Sequence, residues 1–168
     1  MSIQEICNLL KVEFIDNGYE YGFFLNGVKY KPDISDGFDN EFMRKLLNEY
    51  RVQNPKDTLR EKIGTCNDIV VLMKSILESY GIVCKIWLLS YATKAKFHTI
   101  LTFTANEKVV YLELTPQSQK PWYGKEIIYD NEESMISEHK KQDCNMIDVT
   151  DEVVVGKAPN FILSRLVR

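Results

Sequence analysis

The sequence lacks long apolar runs and a leader-like N-terminus. No apolar run reaches the roughly 18 residues that a membrane-spanning helix needs. The opening residues, Met-Ser-Ile-Gln-Glu, show neither the basic nor the apolar segment of a signal peptide. We therefore expect no membrane partner and a cytoplasmic location.

Positive charge is scarce as well. The 21 lysines and arginines are outnumbered by 24 acidic residues, which gives a net charge of −3. Nucleic-acid binding requires a basic surface, and basic residues are sparse around the aromatic residues Tyr19, Tyr21, Phe23 and Phe24. We therefore expect these rings to pack in a core, and we expect no nucleic-acid partner.

Residues that bind metals or form disulfides are few and far apart. Four cysteines are present without a close pair, and only His98 and His139 accompany them. Zinc sites and disulfide frameworks depend on closer groupings, so we expect no metal, no cofactor and no disulfide. Cys7 and Cys84 lie among apolar neighbours and are predicted core residues. His139 is predicted to be exposed and without a role.

The sequence does contain enough apolar residues for one folded domain. Hydrophobic residues make up 45% of the chain and charged residues 27%, a balance typical of globular proteins. We predict a single domain over residues 1–168. Its parts are a core at 64–116, an N-terminal helix and small β-meander at 1–55, and a C-terminal extension at 117–168.

Outside the core, hydrophobic periodicity predicts short elements. Apolar residues at helical spacing indicate helices over residues 2–11 and 40–52. β-rich runs and the hairpin signal Asn26-Gly27 indicate a meander with strands at 12–15, 19–25 and 28–31. Residues 56–62 suit either a short helix or an exposed loop. Beyond the core we predict a loop at 117–124, a helix at 132–141, and strands at 148–155 and 161–167.

The core begins with a helix that places Cys66 at its N-terminus. Over residues 69–80 the apolar side chains are three and four positions apart, as on the buried face of a helix. Thr65 is a suitable N-cap, and Gly81 is a suitable residue to follow the last turn.

Three strands are predicted after this helix, at residues 82–89, 97–104 and 108–114, with a polar loop holding Lys94 and Lys96 before the second. The helix is about 22 Å long and the first strand returns about 26 Å, so that strand ends beside Cys66. His98 begins the second strand and Glu113 ends the third. These two residues are predicted to be cross-strand neighbours or one pair apart, close to the cysteine.

This trio suits nucleophilic catalysis. A helix N-terminus and a neighbouring imidazolium both lower the pKa of a thiol and so favour the nucleophilic thiolate. A histidine transfers protons during acyl transfer, and a carboxylate on its second ring nitrogen fixes its orientation. Backbone N–H groups at the start of the helix are placed to bind an oxyanion. The alternative, in which Cys66 and His98 are separate structural residues, leaves the charged Glu113 without a partner.

The same residues resemble the transglutaminase-like superfamily, which shares the papain-like arrangement. The resemblance lies in Gly64-Thr65-Cys66, in Tyr80-Gly81-Ile82, in His98 and in Leu112-Glu113-Leu114-Thr115-Pro116. It implies an α+β fold in which the catalytic helix packs on an antiparallel β-sheet. It also implies Cys66 as nucleophile, His98 as base and Glu113 at the position where the family usually has aspartate.

The sequence departs from this family near the oxyanion site. No tryptophan precedes Cys66 as a side-chain oxyanion donor, and Gln53 and Asn54 are the amides available there. The aromatic residue that often follows the histidine is replaced by Thr99 and Ile100.

These features together predict a cysteine-dependent acyl-transfer enzyme. The first hypothesis is a thiol hydrolase, a peptidase or amidase, that acts through a Cys–His–Glu triad and a thioester intermediate. A transglutaminase or other acyltransferase is the second, and a non-catalytic binding domain with the same fold is the third. The expected partner is a peptide, protein or small amide substrate; the sequence leaves its identity and the oligomeric state open.

Overall fold

The computed structural model describes residues 1–33, 40–92, 97–117 and 122–162. Its helices are α1 (Ile3–Lys11), a π-helical turn (Val12–Asp16), α2 (Asn40–Asn48), α3 (Pro55–Glu61), α4 (Cys66–Ser79) and α5 (Glu132–Lys140). Its strands are β1 (Glu20–Tyr21), β2 (Phe23–Leu25), β3 (Val28–Tyr30), β4 (Ile63–Gly64), β5 (Cys84–Tyr91), β6 (Phe97–Ala105), β7 (Lys108–Leu112), β8 (Glu126–Tyr129) and β9 (Cys144–Asp148). Within these ranges, no helix combines the length and the apolar character that crossing a bilayer requires.

A five-stranded antiparallel sheet forms the centre of the structure, in the order β8-β7-β6-β5-β9. Side chains alternate between its two faces along each strand. Ile86 and Leu88 of β5 pack with α1 and α4 on one face. Trp87 and Leu89 pack with α5 on the other. The predicted α+β fold, with the Cys66 helix packed on an antiparallel sheet, is therefore confirmed.

Helix α4 begins and ends where the sequence predicts. Thr65 is its N-cap, and the Asp68 carboxylate accepts from the Thr65 backbone N–H at 2.8 Å in a capping box. Gly81 follows the last turn with a φ of 73°, which glycine adopts without strain. The buried apolar residues between these ends include Ile69, Val70, Leu72, Met73 and Leu77.

The predicted meander after α4 is confirmed as β5, β6 and β7. Leu89 pairs with His98 between β5 and β6, and Leu101 pairs with Leu112 between β6 and β7. Strand β8, which pairs with β7, was not predicted. Its two isoleucines are adjacent and exposed, so the four-residue strand lacks the alternation by which a half-buried strand is recognised.

The N-terminal meander is confirmed only in part. The Asn26-Gly27 hairpin between β2 and β3 is present, with positive φ at both residues. Gly22 divides the predicted strand 19–25 into β1 and β2. Its φ is 150°, and a Cβ atom there would lie 2.2 Å from the Tyr30 carbonyl oxygen. Strand β1 then pairs in parallel with β4 and not with β2.

The strand predicted at residues 12–15 is wrong. These residues form the π-helical turn Val12–Asp16, which continues α1. Phe14 lies one helical turn beyond Leu10, and both are buried in the cluster that α4 also lines. Helical packing of Phe14 thus overrides the strand preference of the local sequence.

Two helices precede the core. The structure shortens the first relative to the prediction and decides between the two structures predicted for the second. Helix α2 ends at Asn48, earlier than predicted, and Tyr50 then turns into the core. The helix, one of the two structures predicted for residues 56–62, is observed as α3. Tyr50 packs with Phe23 and Phe42, so core packing is confirmed for Phe23.

The C-terminal extension has a different strand from those predicted. Strand β9 pairs with β5 and ends at Asp148, so the strand predicted at 148–155 is wrong. The Asp148 carboxylate accepts from the backbone N–H and hydroxyl of Thr150, which forms a turn. Residues 160–162 are helical rather than extended. Residues 163–168, 118–121 of the predicted loop, and Lys94 and Lys96 lie outside the described residues.

Candidate active site

Cys66 is the first residue of α4. Its side chain is partly exposed, whereas Cys7 and Cys144 are buried. The first backbone N–H groups of a helix have no partner within the helix and carry partial positive charge. The thiol is therefore accessible and lies next to groups that favour its anion.

His98 and Glu113 form a hydrogen-bonded pair. The Nε2 atom of His98 lies 2.7 Å from Oε2 of Glu113. The Glu113 side chain is 2% exposed, and its other oxygen accepts from the Thr115 backbone N–H at 3.0 Å. Both carboxylate oxygens are engaged, which fixes the carboxylate and, through it, the imidazole ring.

The register of the β6–β7 hairpin brings Glu113 within reach of His98. Continued beyond the pair Leu101–Leu112, this register puts His98 opposite Thr115. Glu113 is two positions from Thr115 and so belongs to the same face of the hairpin. The two residues are thus two pairs apart in this register, one more than predicted, and the long glutamate side chain spans the offset to reach His98 at 2.7 Å.

The Cys66 thiol lies close enough to His98 and Thr99 for both residues to act on its pKa. Because Glu113 occupies Nε2, Nδ1 is the ring nitrogen left to face the sulfur. Burial raises the pKa of Cys66, but the hydrogen bond and charge of His98, helped by Thr99, outweigh it and hold the pKa below its usual value. The three side chains thus meet in the order carboxylate, imidazole, thiol.

The electrostatics favour a charged pair of thiolate and imidazolium. Burial lowers the pKa of His98, but the Glu113 carboxylate and the Cys66 sulfur outweigh it and raise the pKa to about 10. In contrast, burial raises the pKa of both Cys7 and Cys84 to about 11. Among the four cysteines, Cys66 is therefore the one whose surroundings favour the reactive thiolate.

Trp122 lies against His98, with 5.9 Å between ring centroids and 32° between ring planes. The sequence predicted a loop beside the site at 117–124, and Trp122 is the described residue that makes this contact. The contact itself was not predicted, since a single tryptophan in a loop has no periodicity to indicate its neighbour.

Asp68 is a buried carboxylate behind the start of α4. It accepts hydrogen bonds from the Tyr50 hydroxyl, the Gln53 backbone N–H and the Thr65 backbone N–H, at 2.7 to 2.8 Å. Burial raises the pKa of Asp68 to about 6, although these hydrogen bonds oppose the shift. Asp68 thus ties the segment before α3 to the turn that presents Cys66. The sequence indicated the Thr65 cap but not the partners of Asp68.

The two candidate oxyanion amides make other contacts. The Gln53 side chain accepts from the Phe24 backbone N–H and donates to the Thr58 hydroxyl and the Ile63 carbonyl. Both of its amide hydrogens are therefore engaged, and we leave Gln53 out of the proposed site. Asn54 caps α3, where its side chain accepts from Lys56. Its role as an oxyanion donor stays a prediction.

His139 is not the exposed residue that the sequence predicts. It is half-buried beside the rings of Tyr111 and Tyr129, with centroid distances of 5.3 and 6.4 Å. Its Nδ1 atom lies 2.9 Å from the Met135 carbonyl oxygen. The helix α5 was predicted, but the aromatic surface that it covers comes from distant strands.

The arrangement of helices and sheet is that of the transglutaminase-like fold. A solved structure with this fold, LapG of Legionella pneumophila, matches with a TM-score of 0.50 and 14% sequence identity, over 98% of this chain and 79% of that chain. At this identity the likeness shows the fold. No family model and no curated protein matches the sequence.

Proposed function

We propose that this protein is a cysteine-dependent hydrolase of peptide or other amide bonds. The observation that carries the proposal is the hydrogen bond from His98 to the buried Glu113 carboxylate, beside the start of α4, where His98 also lowers the pKa of the Cys66 thiol. A thiol beside an imidazole, itself held by a buried carboxylate, is the arrangement that acyl transfer through a thioester uses. The transglutaminase-like fold is compatible with this chemistry.

In the first half of the reaction the Cys66 thiolate attacks the carbonyl carbon of the substrate. A C–S bond forms, and negative charge develops on the carbonyl oxygen. The C–N bond then breaks while His98, as imidazolium, gives its proton to the leaving nitrogen. The products of this half are a free amine, a neutral imidazole and a thioester on Cys66.

In the second half water releases the acyl group. Neutral His98 takes a proton from the water as its oxygen attacks the thioester carbon. The C–S bond breaks, the acid leaves, and the thiolate and imidazolium are restored. Glu113 keeps the ring oriented throughout and stabilises its charged form.

The start of α4 is the proposed oxyanion site. The backbone N–H groups of Cys66 and Asn67 belong to the first turn, where the helix provides no carbonyl partner. These N–H groups form the positive end of the helix dipole. Donors of this kind stabilise the charge that develops on the substrate oxygen.

Trapping the thioester tests the proposal. The protein is mixed with a reactive ester such as p-nitrophenyl acetate, and the release of nitrophenol is followed together with the intact mass. We expect a burst of one nitrophenol per chain and one acetyl group, mapped to Cys66. Cys66→Ser should show neither effect, and Cys84→Ser should behave like the parent protein.

The outcome separates the three hypotheses. Absence of an adduct on Cys66, at full folding, would favour a non-catalytic binding domain and overturn the proposal. An adduct that turns over in water supports the hydrolase. An adduct that is stable in water and released only by added amines identifies an acyltransferase and overturns the hydrolytic assignment.

A further inference from the structure

A cavity of about 320 Å³ lies on the face of the sheet that carries α5. Its walls include the aromatic rings of Tyr91, Tyr111, Trp122, Tyr129 and His139. Trp122 also lies against the His98 ring. The cavity and the proposed active site therefore share one side chain.

The charge of Glu113 links the two sites as well. Glu113 is two residues after Tyr111, just beyond the end of β7. Burial, then Cys144, and then the Glu113 carboxylate raise the pKa of Tyr91 to about 12. The walls of the cavity are thus within the electrostatic reach of the triad.

The cavity has acceptors and one carboxylate, Glu138, which Lys141 partly neutralises from outside the lining: Lys141 Nζ lies 3.3 Å from Glu138 Oε1. Among the described residues that line it, Glu138 is the charged side chain, and neither lysine nor arginine is present. His139 adds an acceptor. Because the Met135 carbonyl can only accept, Nδ1 of His139 carries the proton, and Nε2 of the neutral ring is left to accept a hydrogen bond.

We propose that this cavity binds an arginine side chain of the substrate, on the leaving-group side of the amide that is cleaved. This inference rests on the proposed function for its link to catalysis. A guanidinium is planar, stacks on aromatic faces, and carries five N–H donors and a positive charge. These properties match aromatic walls, an imidazole acceptor and the Glu138 carboxylate.

The position of His98 assigns the cavity to the leaving-group side. His98 must contact the leaving nitrogen to give it a proton, so that nitrogen lies against the imidazole. The substituent of the nitrogen then extends from His98 towards Trp122 and the cavity behind it. By reversal of the same step, an amine that attacks the thioester occupies the same place.

A binding measurement tests the cavity without any need for catalysis. Cys66→Ser is titrated with argininamide and with citrullinamide, which replaces the guanidinium by a neutral group of similar shape. Tryptophan fluorescence is the readout, because Trp122 lines the cavity and the other tryptophan, Trp87, is buried. We expect argininamide to bind about tenfold more tightly than citrullinamide. Equal affinities overturn the proposal.

Glu138→Gln and Glu133→Gln form a matched pair for this experiment. Both residues are exposed on α5, but only Glu138 lines the cavity, and Glu138 also pairs with Lys141. In the Cys66→Ser background, Glu138→Gln should reduce the preference for argininamide to about threefold. Glu133→Gln should leave it unchanged. An equal loss in both variants would show general attraction to an acidic helix and would overturn the assignment of the cavity.

Competition between amines and water tests the link to catalysis. With acetylated Cys66, the amine nitrogen attacks the thioester carbon, His98 accepts its proton, and Cys66 leaves as thiolate. Argininamide should yield acetyl-argininamide about tenfold more efficiently than citrullinamide yields its product. Equal yields despite selective binding would overturn the leaving-group assignment.

The two proposals fail in different ways. Without acetylation of Cys66 the proposed function fails, and the binding experiment still decides whether the cavity selects arginine. With acetylation but no preference for argininamide in either experiment, the hydrolase stands and the cavity proposal is overturned.

Discussion

The two histidines of this chain lie in neighbouring regions, but their imidazole rings have different partners. His98 has a buried carboxylate on Nε2 and lowers the pKa of the Cys66 thiol. His139 has a backbone carbonyl on Nδ1 and two tyrosine rings beside it. Both are half-buried and both contact aromatic rings. The comparison teaches that the partners of an imidazole, more than its exposure, decide whether it can serve in proton transfer.

Of all the substitutions we consider, replacement of His98 should lower turnover the most. We expect His98→Ala to lower turnover of a cleavable amide by at least about 10³-fold, because general acid and base are both lost. The Cys66 thiol also loses the charge that lowers its pKa, so its alkylation by iodoacetamide at pH 7 should slow. His139→Gln should leave that alkylation rate unchanged, since His139 does not contact the thiol.

A second substitution at His98 separates chemistry from folding. Alanine leaves the buried Glu113 without its imidazole partner, which is costly for a carboxylate. His98→Gln can donate an amide hydrogen to Glu113 and should keep the melting temperature near that of the parent protein. Turnover by His98→Gln at the parent rate would contradict the role of His98.

Substitution of Glu113 should have the next largest effect. Glu113→Gln keeps a group that can orient the imidazole but cannot stabilise imidazolium, so we expect turnover to fall about 10²-fold. The matched variant Glu113→Asp keeps the charge on a shorter side chain and tests whether glutamate is needed to span the hairpin offset. Full activity of Glu113→Gln in a steady-state assay would mean that another residue holds His98.

Alkylation rates compare the four cysteines directly. At pH 7 we expect iodoacetamide to modify Cys66 about 10²-fold faster than Cys84, because the Cys84 thiol ionises far less and lower nucleophilicity of Cys66 offsets only part of this. As pH falls, Cys66 should stay reactive below the usual thiol pKa, since its own pKa is lowered. Peptide mapping after brief labelling gives all four rates. A slow Cys66 would contradict the charged pair.

The sequence predicted the parts of the molecule whose geometry is set locally. Helical periodicity, the Thr65 cap and Gly81 define α4, and the turn after β6 defines the hairpin that carries His98 and Glu113. The convergence of these residues on Cys66 follows from element lengths and antiparallel pairing. This is why the order of contacts could be anticipated before the fold was known.

Contacts between distant segments could not be predicted from the sequence. Phe14 favours a strand by local preference, but burial against α4 makes its segment helical. Trp122 meets His98, and Tyr111 meets His139, only because tertiary packing brings a turn and a helix against the sheet. Gln53 was a candidate oxyanion donor, yet its amide bonds Thr58 and Ile63. Such partners depend on tertiary packing and leave no local pattern.

The smallest effect we predict concerns the contribution of Asp68, in the first turn of α4, to the stability of the fold. The pKa of Asp68 is raised to about 6 in the folded protein, against about 4 for an unfolded aspartate. As pH rises from about 4 to about 6, the unfolded chain therefore loses this proton first. The free energy of unfolding should fall by on the order of 2 kcal/mol over this range because of Asp68 alone.

Asp68→Asn cannot titrate, so this part of the pH dependence should disappear. The slope is the readout and not the absolute stability, because an asparagine amide cannot accept all the hydrogen bonds that Asp68 receives from Tyr50, Gln53 and Thr65. Urea unfolding at several pH values between 4 and 7 gives the slope. Asp151→Asn, at an exposed position, is the control and should keep the parent slope. An unchanged slope in Asp68→Asn would show that Asp68 is already ionised throughout this range, and that its hydrogen bonds outweigh its burial.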